Sequence, residues 1–380
     1  MWKRLGRAAI RNALRNGRVR RVVEAELAGR RGLSPPQPEP PEGVPGHVEF
    51  VDSRGVRHVL DPSLRDRLKP GWRTTCDPEV ASRPPSNEAL ADRARKAKKS
   101  VGEAAALLAS VAGVRLGGRI LEVGCYDGSV AYELARRDGT EVVASDLARY
   151  YVVQRPGEPA AGDVEAQELA LAELRERARA VAGSPTGRVA FVEDDITASA
   201  LEPGSFDAIV SFEVVEHLRD PGAAFQAMAR LLKPGGVAYH DYNPFFSANG
   251  GHSLCTLDFP WGHARLDAAD FERYLREIRP TEAAQALRFY TENLNRLTLA
   301  ALRGAVEEAG LELLTAIPWT DRALVPRLPS EVLPEVRLTY PGVGVEDLLA
   351  TFVAVIARRP RPTVRRPLSI PRSVAEITGR

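Results

Sequence analysis

Residues 118–137 read GRILEVGCYDGSVAYELARR, and this stretch decides the fold. An apolar run ends at the acid Glu122, a turn with Gly124 and Gly128 follows, and the apolar residues then recur at helical spacing. Glycine lets the backbone pass close to a ligand, and the start of a helix offers unpaired N–H groups. The stretch therefore predicts a strand, a glycine turn and a helix, the arrangement of a nucleotide site.

The spacing of the turn separates this chain from the dinucleotide-binding proteins. It reads Glu-x-Gly-x-x-x-Gly, whereas those proteins use Gly-x-Gly-x-x-Gly. The turn resembles the first motif of the class I S-adenosylmethionine-dependent methyltransferases, acid-x-Gly-x-Gly-x-Gly, with a tyrosine in place of the middle glycine. The resemblance implies that five residues contact that cofactor: Glu122, Gly124, Cys125, Tyr126 and Gly128.

A second apolar run, EVVASD at residues 141–146, also ends in an acid. Asp146 lies 22 residues after Gly124, about where a doubly wound nucleotide fold places the carboxylate that binds the ribose. A carboxylate can accept hydrogen bonds from both vicinal hydroxyls. The alternative is that Asp146 only caps the next helix. We predict the ribose role, with Leu147 beside it in the cofactor site.

Two further strands complete the predicted cofactor site. Residues 188–196, RVAFVEDDI, form the third strand, and Asp195 with Ile196 resembles the family's adenine-contacting pair. Asp194 competes with Asp195 for that role. The fourth strand, FDAIVSF, ends at Phe212, which we also place beside the cofactor.

The order of the motifs predicts the architecture. Strands and helices alternate, and Leu-Lys-Pro-Gly-Gly at residues 232–236 precedes the fifth strand, as in the same methyltransferases. Residues 311–319 and 351–359 supply two closing strands. The resemblance covers residues 95–359 and implies an α/β, Rossmann-like, doubly wound fold. We expect a seven-stranded, mostly parallel sheet with helices on both faces, plus an N-terminal helix, a hairpin cap and a lid insertion.

Composition shifts divide the chain into five segments. The first is a basic amphipathic arm, the second is rich in proline, the third contains a β-hairpin and a cap, the fourth is the methyltransferase domain, and the last is a basic Pro/Arg-rich tail. Their predicted bounds are 1–33, 34–46, 47–86, 87–359 and 360–380, with a lid at about 242–290 in the fourth.

Charge and cysteine content restrict the class of protein. The 52 Lys and Arg residues nearly balance the 50 Asp and Glu residues, so the whole chain has no nucleic-acid signature and nucleic acid is not an expected partner. Three widely spaced cysteines argue against a disulfide framework and favour a reducing compartment. The sequence has no apolar run of membrane-spanning length. We therefore expect a cytoplasmic location.

The basic arm predicts a peripheral partner. In residues 1–31 the apolar side chains share one side of a helical wheel and the arginines share the other. Such a helix can lie on an anionic membrane, here the inner membrane surface, or against an acidic partner. A solvated arm without a partner is the alternative.

Methyl transfer to a hydroxyl needs a base near the end of strand four or five. The cofactor carries an activated methyl group, so the protein has to align the acceptor and remove its proton. Three residues at these strand ends are candidates for that base: His217, His240 and Asp241.

A metal site is a competing interpretation of the same region. Residues 213–217 resemble the Glu-x-x-Glu-His motif of metal-assisted methyltransferases that act on RNA 3′ ends or quinone precursors. Oxygen and imidazole ligands suit Mg²⁺, Mn²⁺ or Zn²⁺. The candidate ligands are Glu213, Glu216 and His217, and a later histidine, His240, His252 or His263, could complete the set.

Three functions remain open from the sequence. The preferred one is O-methylation of a small molecule or glycan, with the aromatic segment 242–266 as the acceptor lid. Its Phe245, Phe246, Phe259 and Trp261 could stack on a sugar or form the core of the lid. The second is metal-assisted methylation of RNA 3′ ends. The third is a non-catalytic interaction protein, for which the tyrosine in the glycine turn is the one hint.

Overall fold

The structure is a computed structural model. It describes residues 49–81, 83–183, 185–321 and 327–362. The predictions for the basic arm, the proline-rich segment and nearly all of the tail lie outside these residues.

Seven strands form one sheet in the order β5-β4-β3-β6-β7-β9-β8. Strand β9 is antiparallel to both of its neighbours, and the other pairs are parallel. The strands are β3 (Arg119–Val123), β4 (Glu141–Asp146), β5 (Arg188–Glu193), β6 (Phe206–Phe212), β7 (Leu232–Tyr242), β8 (Glu312–Thr320) and β9 (Ala350–Arg358). A separate antiparallel hairpin consists of β1 (Glu49–Val51) and β2 (Arg57–Val59).

Helices cover both faces of the sheet because successive strand residues point to opposite sides. Leu121 packs with Phe225 and Leu302 on one face, whereas Ile120 packs with Leu108 and other apolar residues on the opposite face. The helices of this part of the chain are α4 (Asn87–Val111), α5 (Ser129–Leu134), α6 (Ala148–Gln154), α7 (Asp163–Ala182), α8 (Pro221–Leu231) and α13 (Leu299–Glu308). The predicted doubly wound, mostly parallel seven-stranded sheet is confirmed.

A second apolar core joins the hairpin segment (residues 49–81) to the segment after β7 (residues 243–292). Phe50 and Cys76 pack with Phe271 and Tyr290 in this core. The predicted aromatic residues of the lid, Phe245, Phe246, Phe259 and Trp261, are buried in it. Its helices are α1 (Leu64–Leu68), α2 (Arg73–Cys76), α3 (Pro78–Ala81), α9 (His252–Cys255), α10 (Gly262–Arg265), α11 (Ala268–Ile278), α12 (Ala283–Glu292), α14 (Val332–Thr339) and α15 (Val345–Leu349).

Candidate active site

A cavity of about 1200 Å³ lies at the carboxyl ends of strands β3, β4, β6 and β7. This is the edge at which open α/β sheets bind their ligands. Helix α4 lines one side of the cavity with side chains between residues 93 and 107, and the ends of β8 and β9 line another. None of the residues 242–290 is among the lining residues, so the predicted lid packs on the hairpin segment and does not border this cavity.

The glycine turn after β3 forms the floor of the cavity. Gly124 and Gly128 have φ of 75° and 76°, in the left-handed region that glycine adopts without strain. A Cβ on Gly124 would lie 2.4 Å from a methyl carbon of Val214, and one on Gly128 would lie 2.7 Å from the ring of Phe191. Backbone conformation and space therefore both require glycine at these positions.

Tyr126 occupies the turn in a left-handed backbone conformation that glycine adopts more readily. Its φ is 44°, and its ring stacks on Tyr151 with 5.0 Å between centroids. The Arg93 guanidinium from helix α4 lies 5.0 Å from the ring centroid on Tyr126. These contacts hold the ring at the cavity wall, where Cys125 also lines the space.

Two acids of the predicted cofactor set are buried at the cavity. Glu122 has one carboxylate oxygen, Oε2, without a hydrogen-bond partner among the residues that the structure describes. Burial, followed by the charge of Asp146, raises the pKa of Glu122. Asp146 accepts hydrogen bonds from the backbone N–H of Leu147 at 2.7 Å, from the N–H of Tyr126 and from the hydroxyl of Tyr151 at 3.0 Å.

The two neighbouring acids after β5 have different surroundings. Asp195 caps the short helix Ile196–Ala198 by accepting from the N–H of Thr197 at 2.9 Å. Asp194 has a buried Oδ2 with no partner within the described ranges. Both acids and Ile196 line the cavity, so the structure leaves either acid able to meet an adenine amine.

Asp241 and His240 at the end of β7 lie on opposite faces of the sheet. His240 is fully buried, with its Nδ1 2.8 Å from the Ser211 hydroxyl and its ring edge-on to Phe225. Because His240 does not line the cavity, it cannot remove a proton from a substrate there. The reason is the alternation of side chains along a strand, which turns one neighbour to the cavity and the other into the core.

The Asp241 carboxyl lines the cavity and is held at both oxygens. Oδ1 accepts from the backbone N–H of Glu213 at 3.1 Å, and Oδ2 accepts from the hydroxyl of Tyr239 at 3.1 Å. Burial, followed by the charge of Glu213, raises the pKa of Asp241 to about 8. This carboxyl can therefore exchange a proton near neutral pH.

His217 also lines the cavity, with its two ring nitrogens in different settings. Its Nδ1–H donates to the carbonyl of Asn293 at 2.6 Å, which leaves Nε2 as the lone-pair nitrogen. Burial lowers the pKa of His217 to about 4. The imidazole is therefore neutral at pH 7 and a weaker base than Asp241.

His217 belongs to a polar cluster that contains some of the predicted metal ligands. Ligand atoms of Glu216, His217 and His252 all lie within 4.8 Å of one another. Glu216 Oε2 and His252 Nε2 are buried and have no hydrogen-bond partner in the described part of the chain, and His252 Nε2 lies 4.0 Å from the other oxygen of Glu216. Lys69 of the hairpin segment faces this cluster, and although burial lowers the pKa of Lys69, Glu213 and Glu216 oppose that effect.

The two other predicted ligands are engaged elsewhere. Glu213 is exposed, has φ of 56°, and its Oε1 accepts from the side-chain amide of Asn243 at 3.3 Å. His263 donates from Nε2 to the carbonyl of Phe245 at 2.8 Å inside the second core. Of the three later histidines that the sequence offered, the cluster contains His252 and omits His240 and His263, and it also omits Glu213.

Aromatic side chains line the cavity together with Asp241 and form an aromatic wall. We define it by Phe212, Tyr239, Trp319 and Phe352, all of which line the space. Phe212 lies 5.6 Å from Tyr239 between ring centroids, and Trp319 lies 5.5 Å from Phe352. The sequence did not reveal Trp319 and Phe352 as site residues, because they lie on the two closing strands, more than a hundred residues from the glycine turn.

Comparisons with known proteins agree with this geometry. A model of the methyltransferase-domain family matches residues 90–316, more than half of the chain. The ubiquinone biosynthesis O-methyltransferase of Xanthomonas campestris pv. campestris (strain B100) is 37% identical over 207 residues, which cover 54% of this chain and 70% of that protein. The protein of the same name from Paracidovorax citrulli (strain AAC00-1) is 32% identical over 177 residues, covering 45% and 62%.

Among solved structures, phosphoethanolamine N-methyltransferase 2 of Haemonchus contortus in complex with S-adenosyl-L-methionine aligns with a TM-score of 0.39 and 16% identity. The alignment covers 77% of this chain and 60% of that one.

The fold and the site define an α/β protein with a ligand site at its strand ends. The chain belongs to the methyltransferase-domain family, and it is an S-adenosylmethionine-dependent methyltransferase. The residues present suit that cofactor. Two glycines open space that a Cβ would fill, and the unpartnered oxygens of Glu122 and Asp194 offer acceptors for its amino groups.

Proposed function

We propose that this protein methylates a hydroxyl group of a small molecule and that Asp241 is the base. One observation carries the proposal. Asp241 places a buried carboxyl at the cavity, at the carboxyl end of β7, with a pKa raised by burial to about 8. His217 shares the cavity, but burial holds its pKa at about 4. The ionised form of Asp241 is a stronger base than His217, and its fraction grows as pH rises toward 8.

The cofactor supplies the methyl group on a sulfonium, and the chain supplies alignment and proton transfer. In the proposed reaction the acceptor hydroxyl would point at Asp241, whose carboxylate would take the proton while the methyl group passes from the sulfonium sulfur to the acceptor oxygen, leaving the neutral thioether. The N–H of Glu213 and the hydroxyl of Tyr239 fix the plane of that carboxylate. Alignment of the two reacting groups lowers the barrier of such a displacement.

The aromatic wall favours a ring-bearing acceptor. Planar rings gain contact area from flanking aromatic side chains, and the wall offers two such pairs. The relatives named above are O-methyltransferases of ubiquinone biosynthesis, which supports a small molecule over a glycan. The aromatic side chains that suggested sugar stacking in the sequence, such as Phe245 and Phe259, are buried in the second core.

The test is the Asp241→Asn variant in a turnover assay that follows S-adenosylhomocysteine release from pH 6 to 9. The acceptors are ring-hydroxylated aromatic compounds and, in parallel, methyl glycosides. For the wild type we expect turnover of the aromatic compounds that rises with pH, with an apparent pKa of about 8 or lower, because the sulfonium cation favours the carboxylate.

The variant should lose at least about a hundredfold in kcat together with the pH dependence, while its affinity for S-adenosylhomocysteine is kept. Full activity of Asp241→Asn would overturn the role of the base. Turnover of the glycosides alone would overturn the acceptor class.

We propose as a second function that Glu216, His217 and His252 hold a divalent cation. Glu216 and His252 carry buried ligand atoms without a hydrogen-bond partner in the described residues. Mixed oxygen and imidazole ligands suit Mg²⁺, Mn²⁺ or Zn²⁺. Bound there, the ion would polarise an acceptor oxygen. Titration calorimetry with Mn²⁺ or Zn²⁺ tests this. The Glu216→Gln variant should lose binding, whereas Glu213→Gln, outside the cluster, should keep it.

The remaining sequence hypotheses stand differently. The non-catalytic hypothesis rested on Tyr126, which adopts the φ of a glycine and leaves the turn intact. Membership in the methyltransferase-domain family favours a catalytic function over this hypothesis. For RNA 3′ ends, the described residues offer no observation beyond the proposed cation cluster.

No helix in the described part of the chain has the length and apolarity needed to cross a membrane. A cytoplasmic location, with residues 1–31 on an anionic membrane, stays part of this proposal.

A further inference from the structure

Arg175 of helix α7 extends from that helix to the underside of the glycine turn. Its side chain is 13% exposed and lies on the ring of Phe191, 4.7 Å from the ring centroid. Its Nε–H donates to the carbonyl of Tyr126 at 2.9 Å. A terminal guanidinium nitrogen lies 3.8 Å from Asp146 Oδ2 and 3.5 Å from the sulfur of Cys125. One side chain thus contacts three residues of the cofactor site.

The Tyr126 peptide is the part of the turn that most needs support. A side chain with φ in the left-handed region is strained, and the surrounding structure has to maintain it. Asp146 holds this residue by accepting its N–H, and Arg175 holds it by donating to its carbonyl. The residue is therefore fixed at both of its backbone polar groups.

The charge of Asp146 also needs support. Its carboxylate must be ionised to accept two ribose hydroxyls, yet it is buried and Glu122 lies close to it. Burial raises the pKa of Asp146, and the Arg175 guanidinium opposes that effect together with the N–H groups of Leu147 and Tyr126 and the hydroxyl of Tyr151. An arginine can serve both the carboxylate and the turn, because its donors diverge in a rigid plane.

We propose that Arg175 is a positioning residue for S-adenosylmethionine. It fixes the Tyr126 carbonyl and the Asp146 carboxylate in the arrangement that receives the ribose, without touching the cofactor itself. This inference rests on the proposed ribose role of Asp146. It assigns a task to helix α7, which in sequence is only an Ala-, Glu- and Arg-rich amphipathic helix.

Titration calorimetry with S-adenosylhomocysteine tests the proposal on the full chain. Three variants of helix α7 are compared: Arg175→Gln, Arg175→Lys and Arg179→Gln. Arg179 is the matched control, because it is exposed and pairs with Glu176 on the same helix. We expect the dissociation constant to rise roughly tenfold or more in Arg175→Gln, since a charge-assisted contact is lost.

Arg175→Lys should fall between Arg175→Gln and the wild type, because lysine restores the charge but not the two-point geometry. Arg179→Gln should bind as the wild type does. Thermal unfolding of each variant is recorded beside the titration. A merely structural role would lower the unfolding temperature of Arg175→Gln and leave the affinity of the folded protein unchanged, and that result would overturn the proposal.

A double-mutant cycle with Asp146→Asn separates this inference from the function on which it rests. If Asp146→Asn binds as tightly as the wild type, the ribose role itself is wrong. If Asp146→Asn weakens binding but Arg175→Gln does not, only the role of Arg175 is wrong. We expect non-additive losses in the double variant, because both changes act on one arrangement. Should Arg175→Gln not fold, wild-type affinity in Arg175→Lys would contradict the proposal.

Discussion

At the scale of single residues, the glycine turn combines two constraints that can be separated by mutation. Gly124 has positive φ and a neighbour, Val214, in the space of a Cβ. Gly139, in the next turn, has φ of 68° but nothing within 4 Å of a Cβ. The two glycines therefore differ in packing and share their backbone conformation.

We predict that Gly124→Ala weakens binding of S-adenosylhomocysteine at least about tenfold and destabilises the fold by about 2–4 kcal/mol, because left-handed strain and overpacking add. Gly139→Ala should cost only about 1–2 kcal/mol, the strain alone, and leave affinity unchanged. Calorimetry and urea unfolding check both variants. Equal effects of the two substitutions would show that packing against Val214 does not shape the turn.

The residue scale is also where sequence reasoning reached its limit. The acids Glu122 and Asp146 were predictable, because each ends an apolar run whose strand end must lie at the ligand edge. His252 was one of three later histidines that could join Glu216, and the sequence could not choose among them because the contact is made between distant segments. Arg175 was hidden because a charged residue on an amphipathic helix looks like a solvent-facing one until its neighbours are known.

At the scale of elements, the hairpin segment is joined to the segment after β7 by a buried ion pair. Arg65 of helix α1 contacts Glu282 at 2.7 Å and also donates to the carbonyl of Ser253. The side chain of Arg65 is 4% exposed and that of Glu282 is 15% exposed. Arg57, in contrast, pairs with Glu49 at the surface of the hairpin.

We predict that Arg65→Met destabilises the protein by about 3 kcal/mol, because Glu282 is left as a buried charge without its partner. Hydrogen exchange should become faster in both of the joined segments, residues 49–81 and 243–292. Arg57→Ala should produce no measurable change, because exposed ion pairs contribute little. Unaltered exchange in Arg65→Met would mean that apolar contacts alone join these segments.

The elements themselves were largely predictable from the sequence. Each strand of the large sheet is a local apolar run with a turn signal, and its face is set by residue alternation. The packing of residues 242–290 was not, because an aromatic segment next to a site can face either the ligand or another core. Here its side chains meet Phe50 and Cys76, and the long helix α4 borders the cavity instead.

At the scale of the whole molecule, buried ionisable groups make stability depend on pH in opposite directions. Burial raises the pKa of Glu216 and of Asp241 to about 8. Burial lowers the pKa of three histidines, His217, His240 and His263, to about 4. Acids with a raised pKa make the free energy of unfolding fall as pH rises from about 4 to 8. Histidines with a lowered pKa make it rise as pH rises from about 4 to 6.5.

We therefore predict an unfolding temperature that rises slightly between pH 5 and 6.5, where three histidines act against two acids, and falls between pH 6.5 and 8. In the upper range only the acids contribute, at about 1.4 kcal/mol per pH unit for each acid whose pKa lies above the pH. The Asp241→Asn variant should show a shallower fall. Calorimetric scans across this range check the shape, and a rise above pH 6.5 would contradict it.

Trp319 gives the cavity a spectroscopic property of its own. It is one of four tryptophans in the chain and stands on the aromatic wall, while Trp72 lies under Arg65 and Trp261 is buried in the second core. An aromatic ring entering the cavity changes the environment of that one indole. The fluorescence emission of Trp319 therefore reports whether the cavity is occupied before any methyl transfer occurs. A fluorescence titration can then rank acceptors by their affinity.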